Sequence, residues 1–448
     1  MRFFAFVTLS TLVALSAFGW ENHMQLSDLA LAAAGWAKSE SSAESLDSFL
    51  EAEKAKLATV LATVEKNARS DYPRYMPLPA SLVFDPTAKG ATLRASFIAA
   101  VRVNPNMPFT LFLQIPVHKT SDRPSLSPEA VDLSGARLPN GPFKELAVGE
   151  SVSALEVVET ASDEPDYGMD IGLFANNGTE WGARYGFGIQ PFGNAKLSYG
   201  SQSPFHMSFA NEDWIIKVAA PKYQGSYVGY RVDLYSALAK EAFASGHSYW
   251  GYRFAGWALH YVEDATQPFH SSMLPAKSTF DILVLNAFGP DAKIDGEVVL
   301  LSNRHLILEN FQYSVLAAYR GDDAPSILYS ALQDFPDKTP VGKPQASLGD
   351  PSKRRWVLDV VAKHSRQRGR ELDRAIVATF PAKYVSDPAF DFGAWQSDTG
   401  SAYDPLADLV AIDQKKASAF EVALAPSLAD MGRAARAFLA ALVPGGSH

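Results

Sequence analysis

The chain has 448 residues, 47% of them hydrophobic and 20% charged, with a formal net charge of −9. This composition is typical of globular proteins with a sizeable core, and it excludes a fibrous or largely disordered chain. Lysine and arginine are scattered rather than gathered in a basic stripe, which argues against a nucleic-acid substrate. The chain has no cysteine, so it cannot form disulfides and any metal ligands must be nitrogen or oxygen atoms.

The N-terminus has the pattern of an export signal. Met1 and Arg2 give a basic start, residues 3–15 are largely apolar, and residues 17–19 offer a small-x-small cleavage site. We therefore predict a signal peptide over residues 1–19 and a secreted or periplasmic protein. The apolar run is too short for a transmembrane anchor. Cleavage would give Trp20 a free α-amine, whose lone pair can bind a metal near neutral pH.

The remaining 20–448 segment is predicted to be one mainly α domain with an inserted β-containing region. The insertion spans roughly 72–160, where strands are predicted at 92–103, at 109–117 and within 143–158. Helices are predicted in the rest of the chain from apolar periodicity, at 24–70, 227–246, 249–266, 299–321, 352–379 and 416–443. Residues 160–215 are rich in Gly, Asn, Pro and Asp and are predicted to be loops, which often carry function.

The most informative stretch, residues 254–272, contains His260, Asp264 and His270. His260 and Asp264 are four residues apart on a helical run, so their side chains project from one face. Pro268 ends that helix, and the bend can return His270 to the same place. An imidazole–carboxylate–imidazole set of this spacing suits a divalent cation, with zinc as the leading candidate.

A second pair, His305 and Glu309, repeats the four-residue spacing further along the chain. A single histidine on an apolar helix is usually a core or surface residue, but two such pairs together favour a metal centre. The set exceeds the four ligands of a closed zinc site, which indicates more than one ion. Asp163, Asp166 and Asp170 lie in the acidic loop region, where a calcium-binding loop is an alternative.

These motifs resemble those of the zinc-dependent phospholipase C and single-strand-specific nuclease superfamily, with the phospholipase C branch favoured. The hallmarks are an N-terminal tryptophan exposed by signal cleavage, a His-x3-Asp-x5-His motif on a central helix, and a later His-x3-Glu or His-x3-Asp. The corresponding residues here are Trp20, His260, Asp264, His270, His305 and Glu309. The resemblance covers the helical core, about two thirds of the chain, and not the 72–160 region or the long C-terminal part.

The resemblance implies a mainly α fold of the phospholipase C type that holds three clustered zinc ions. The expected ligands of the first ion are Asp166, His206, His260 and Asp264, with Asp170 as the rival of Asp166. The expected ligands of the second ion are His270, His305 and Glu309. The expected ligands of the third ion are the amine and carbonyl of Trp20, His23 and a bridging oxygen of Asp264. His23 lies closer to the N-terminus than the corresponding histidine of the family, and Asp166 and His206 are farther apart than usual.

The implied activity is hydrolysis of the glycerol-side phosphodiester of phospholipids, with phosphatidylcholine as the expected substrate. Asp166 would orient or deprotonate the attacking water. Glu309 matches the phospholipase form of the second motif, and Tyr167 and Phe205 are expected to enclose a choline headgroup at the membrane surface by cation–π attraction. Two alternatives stay open: a zinc-dependent nuclease or 3′-nucleotidase, and a secreted metal-binding protein without catalytic activity.

Overall fold

The computed structural model describes residues 22–134, 141–195, 198–219, 221–273, 275, 277, 291–318, 326–333, 348–399 and 405–445. The described chain is mainly helical, which confirms the predicted fold class at that level. The predicted signal peptide and Trp20 lie outside the described residues. Among the described helices, none has an apolar stretch long enough to cross a bilayer.

The helices of the N-terminal half are α1 (His23–Leu31), α2 (Leu46–Asp71), α3 (Gly90–Val101), α4 (Ala154–Asp163), α5 (Glu180–Arg184), α6 (Ser198–His206) and α7 (Trp214–Ala219). Those that follow are α8 (Val228–Ala244), α9 (Ser248–Thr266), α10 (Pro268–Ser271), α11 (Asp291–Ala317) and α12 (Ile327–Leu332). A π-helical segment (Val357–Ala362) leads into α13 (Lys363–Thr379), and α14 (Ala382–Val385), α15 (Phe392–Thr399) and the kinked α16 (Pro405–Leu442) complete the described chain.

The strands are short and form two antiparallel pairs. The first pair joins β1 (Glu40–Ser42) to β4 (Ser151–Ser153), and the second joins β2 (Phe112–Gln114) to β3 (Phe143–Glu145). The predicted strand at 92–103 is wrong, because this segment forms α3. Leu93, Phe97 and Val101 recur every four residues and are buried, so the apolar run forms one face of a helix that packs on α2.

Helix α9 is the centre of the fold. Every residue from Tyr249 to Thr266 is buried, as expected of a helix that is covered on all sides. Its main partners are α8, α4 and α16. Gly256 lets α4 approach closely, because a Cβ atom there would lie 2.5 Å from the Cβ of Ala161 and 2.7 Å from the carbonyl oxygen of Val158. This contact holds the C-terminal end of α4 against the part of α9 that carries His260.

Candidate metal centre

The C-terminal half of α9 and the short α10 bring three of the predicted ligands together. His260 Nε2 lies 3.3 Å from Asp264 Oδ2 across one helical turn. Helix α9 ends at Thr266, and α10 begins at Pro268, where a proline is well tolerated in the first turn. The turn between the two helices places His270 Nδ1 3.4 Å from Asp264 Oδ1. All three side chains are fully buried.

Asp166 and His206 reach the same place from two other elements. Asp166 lies in a 3₁₀ turn (Glu164–Tyr167) directly after α4, and His206 is the last residue of α6. The His206 Nδ1 atom is 3.0 Å from Asp264 Oδ2 and 3.6 Å from Asp166 Oδ1. His260 Nε2 is 3.8 Å from the same oxygen of Asp166.

Asp170, the rival of Asp166 in the sequence, is held mainly by other groups. Its Oδ1 accepts a 2.5 Å ion-pair contact from Arg231, and its Oδ2 accepts a 2.6 Å hydrogen bond from the Tyr261 hydroxyl. Its Oδ2 is also 3.6 Å from His206 Nε2. Burial alone would raise the pKa of Asp170, but the Arg231 charge and these contacts hold it below the usual value. Its negative charge is therefore already balanced by a buried guanidinium.

Helix α1 contributes His23 to the cluster. Its Nε2 atom lies 3.6 Å from Asp264 Oδ1 and 3.9 Å from Asp166 Oδ2. The ring centroids of His23 and His260 are 4.1 Å apart. The structure thus brings the N-terminal helix onto the motif of α9, although more than 230 residues separate them in sequence.

Helix α11 carries His305 and Glu309, which lie next to His270. His305 Nε2 is 2.5 Å from Glu309 Oε1, and His270 Nε2 is 3.9 Å from the same oxygen. The rings of His270 and His305 lie 4.9 Å apart. Gln267, at the turn between α9 and α10, donates a 3.1 Å hydrogen bond to Glu309 Oε1.

These side chains form three buried clusters that could hold metal ions, each with its ligand atoms within 4.8 Å of one another. The clusters are His23, His260 and Asp264; Asp166, His206 and His260; and His270, His305 and Glu309. The first two share His260, and Asp264 also contacts both His206 and His270. The arrangement is therefore one contiguous centre rather than three separate sites.

The orientation of the imidazoles fits metal ligation. His260 Nδ1 donates to the Ser162 carbonyl at 2.7 Å, and His270 Nδ1 donates to the His206 carbonyl at 2.9 Å. When one ring nitrogen carries the donated proton, the other presents a lone pair, and metal-bound histidines are usually fixed in this way. The Nε2 atom of His260 faces Asp264 and Asp166, and the Nε2 atom of His270 faces Glu309.

Several buried ligand atoms lack a hydrogen bond within the described residues: His23 Nε2, Asp166 Oδ1 and Asp264 Oδ1. Buried polar atoms without a partner cost free energy, and most buried polar atoms in proteins are paired. Cations bound in the two clusters to which these residues belong would satisfy them. The nitrogen and carboxylate donors suit zinc, which binds imidazole and carboxylate groups in protein sites.

Burial and mutual charge set the protonation of the centre. Burial alone would raise the pKa of Asp264, but His260, His270 and His206 hold it well below the usual value. Burial raises the pKa of Asp166 to about 7 despite the opposing effect of His260 and His206. Burial also lowers the pKa of His23 well below 6.5. His23 is therefore neutral at neutral pH, which is the form that binds a metal. Burial alone would lower the pKa of His206, but its contacts with Asp170 and Asp264 raise it to about 10.

Tyr167 and Phe205, the residues predicted to bind substrate, are enclosed in the protein core. The Tyr167 hydroxyl donates hydrogen bonds to Gln114 at 2.6 Å and to Asp163 at 3.2 Å. Phe205 lies under the Arg231 guanidinium, 4.8 Å from its ring centroid. The two residues are 1% and 0% exposed, so a choline headgroup could reach either ring only after their packing changed.

Sequence reasoning missed Glu263 and the roles of Ser162 and Asp163. Glu263 contacts His23, Ser162 anchors His260, and Asp163 accepts a 3.1 Å hydrogen bond from the Met24 amide at the start of α1. The only sequence signal for Glu263 is a second carboxylate beside Asp264 on a helix that is otherwise largely apolar and aromatic. Contacts between α1, α4 and α9 cannot be deduced from local spacing.

Two cavities lie away from the centre. One, of about 540 Å³, is lined by α2, α8, residues 351–357 and the end of α16. The other, of about 370 Å³, is lined by residues 115–123 and three glutamates. Neither is lined by a residue of the three clusters.

Comparisons of the chain with protein-family models, with curated proteins and with solved structures gave no match. The family resemblance therefore rests on the residues and spacings of this chain.

Proposed function

We propose that the protein is a zinc-dependent phosphoric ester hydrolase, a secreted phospholipase C that cleaves the glycerol-side phosphodiester of phospholipids. The observation that supports this proposal most strongly is the contiguous buried centre of three nitrogen and oxygen clusters. A single structural metal would need only four ligands. A centre with more ligands than that, joined through shared residues, is instead typical of hydrolytic sites with several ions.

Zinc ions bound in this centre would lower the pKa of water and neutralise the negative charge of a phosphoryl group. The side chains supply orientation and proton transfer. Ser162 and the His206 carbonyl fix His260 and His270, so the ligand geometry exists before substrate binds. Such preorganisation is the main protein contribution to phosphoryl chemistry, which depends on positioning and charge stabilisation.

Asp166 is the proposed general base. Its Oδ1 lacks a hydrogen bond within the described residues, and burial brings its pKa to about 7. This oxygen lies beside His206 and His260, the proposed zinc ligands, where it could accept the proton of an attacking water. Asp170 is less suited to this role, because Arg231 holds its pKa below the usual value.

Two features support a phospholipid over a nucleic acid. Glu309 stands where the phospholipase branch of the resembled superfamily has glutamate and its nucleases have aspartate. The net charge of −9, without a clustered basic stripe, is unfavourable for a polyanion. A zwitterionic headgroup such as phosphocholine has no net charge, so the negative protein does not repel it as it would repel a polyanion.

The test is release of phosphocholine from phosphatidylcholine vesicles by the protein that begins at Trp20. We expect release that a chelator abolishes and added zinc restores. Parallel assays use single-stranded DNA, RNA and 3′-nucleotides. Hydrolysis of these substrates without phosphocholine release would assign the chain to the nuclease branch. Zinc binding without turnover of any of these phosphoesters would support a non-catalytic metal-binding protein.

A further inference from the structure

Glu263 is a fully buried carboxylate beside the metal centre that the proposed chemistry does not use. Both of its oxygens contact residues of α1. Glu263 Oε2 lies 2.7 Å from His23 Nδ1, and Oε1 accepts a 2.8 Å hydrogen bond from the Ser27 hydroxyl. His23 and Ser27 are four residues apart on α1, so Glu263 spans one turn of that helix.

Glu263 and Asp264 are neighbours on α9 and contact opposite nitrogens of the same imidazole. Successive residues of a helix project about 100° apart, so Glu263 faces α1 while Asp264 faces the cluster. His23 therefore has its Nδ1 at Glu263 and its Nε2 3.6 Å from Asp264 Oδ1. When Glu263 is ionised, its Oε2 accepts a hydrogen bond from Nδ1, which leaves the lone pair of the imidazole on Nε2.

The backbone of α1 is held by a different carboxylate. Asp163 accepts a hydrogen bond from the Met24 amide, and it is fixed in turn by Gln114 and Tyr167. The helix is thus docked at its first turn independently of Glu263. The two contacts of Glu263 with α1 are those with the His23 ring and with the Ser27 hydroxyl, one turn further along. The contact with His23 orients its ring.

We propose that Glu263 is a positioning residue that orients His23 as a metal ligand of the cluster formed with His260 and Asp264. This inference rests on the proposed zinc-dependent function. A carboxylate that accepts the distal N–H of a ligating histidine fixes its ring and raises its basicity, and loss of such a group typically weakens metal binding about 10- to 100-fold.

The test measures zinc affinity and stoichiometry by chelator competition, with the protein that begins at Trp20. Glu263→Leu removes the acceptor and is expected to lower the affinity for one zinc ion by about 10- to 100-fold. Glu263→Gln retains an oxygen that can accept from Nδ1 and is expected to recover most of that affinity. Asp28→Asn is the matched control: Asp28 is buried on the same helix but binds Lys119 and His118, so zinc affinity should not change.

A double-mutant comparison separates positioning from a general structural effect. If Glu263 acts through His23, then Glu263→Leu causes no further loss of zinc affinity in a His23→Ala background. An equal loss in both backgrounds, or wild-type affinity in Glu263→Leu, overturns the inference. If Glu263→Leu does not fold, the zinc affinity of Ser27→Ala is measured instead. A loss of affinity in the wild-type background that is absent in the His23→Ala background supports the inference. An unchanged affinity in the wild-type background opposes it. A wild-type protein that binds no zinc contradicts the proposed function itself.

Discussion

Replacement of Gly256 by alanine should destabilise the protein, although replacing glycine by alanine inside a helix usually stabilises it. Glycine in a helix interior normally costs about 1 kcal/mol relative to alanine. At this position, however, the new Cβ would lie 2.5 Å from Ala161 Cβ and 2.7 Å from the Val158 carbonyl oxygen. Carbon atoms in good contact lie about 3.5–4.0 Å apart, so α4 and α9 would have to separate by roughly 1 Å.

Overpacking of this kind typically costs about 1–3 kcal/mol. After the gain of about 1 kcal/mol from helix propensity, the net change should lie between about zero and 2 kcal/mol of lost stability. The displacement also reaches the candidate metal centre, because the carbonyl of Ser162, next to Ala161, accepts a 2.7 Å hydrogen bond from His260 Nδ1. Zinc affinity should therefore fall along with stability.

Urea unfolding in the presence of chelator measures the stability change, and chelator competition measures zinc affinity. Gly393→Ala is the matched control in another helix, where the nearest atom to the new Cβ is a Leu306 methyl at 3.3 Å. That side chain can yield, so the control should be neutral or stabilising. The reasoning is refuted if Gly256→Ala stabilises the protein as much as Gly393→Ala does and leaves zinc affinity unchanged.

Two further predictions concern single carboxylates. Asp166→Asn should lower kcat for phosphocholine release by about 10²- to 10⁴-fold while zinc remains bound by His270, His305 and Glu309; an active variant would exclude Asp166 as the base. Burial raises the pKa of Asp233 to about 6, although the Tyr72 hydroxyl donates a 2.6 Å hydrogen bond to it. The pKa of Asp233 is thus higher in the folded state than in the unfolded state, where it is 3.8. Its protonated form therefore stabilises the folded state below about pH 4, and this stabilisation is lost as the pH rises to about 6. Urea unfolding with chelator measures the free energy of unfolding of Asp233→Asn and of the wild type at pH 4 and at pH 8. The value of the variant minus that of the wild type should be larger at pH 8 than at pH 4. An equal difference at both pH values would contradict the assignment.

Local spacing predicts the helices that carry the two His-x3-Asp/Glu pairs, but the prediction of loops over 160–215 is wrong for α5 and for α6, which carries His206. A helix was expected at 249–266 and is found at Ser248–Thr266. The pairs His260–Asp264 and His305–Glu309 follow directly from the helical repeat. The segment 92–103 was misread because a short apolar run with aromatic and β-branched residues is compatible with either a strand or a buried helix. In the structure this segment is helical and packs on α2.

The parts of the site that depend on distant contacts could not be predicted. The sequence favours Asp166 over Asp170 as a ligand, but it does not show that Arg231, about 60 residues away, pairs with Asp170. Glu263 reaches His23 across 240 positions. Neither contact leaves a periodic or compositional trace, since both arise only when the helices pack.

The most direct test of the metal centre is the zinc content of the purified protein that begins at Trp20, measured by mass spectrometry of the metal after dialysis. The three adjoining clusters predict about three zinc ions per chain and a clear reduction in Asp264→Asn, because Asp264 contacts histidines of all three clusters. A folded protein that retains neither zinc nor another divalent cation after incubation with it would contradict the account.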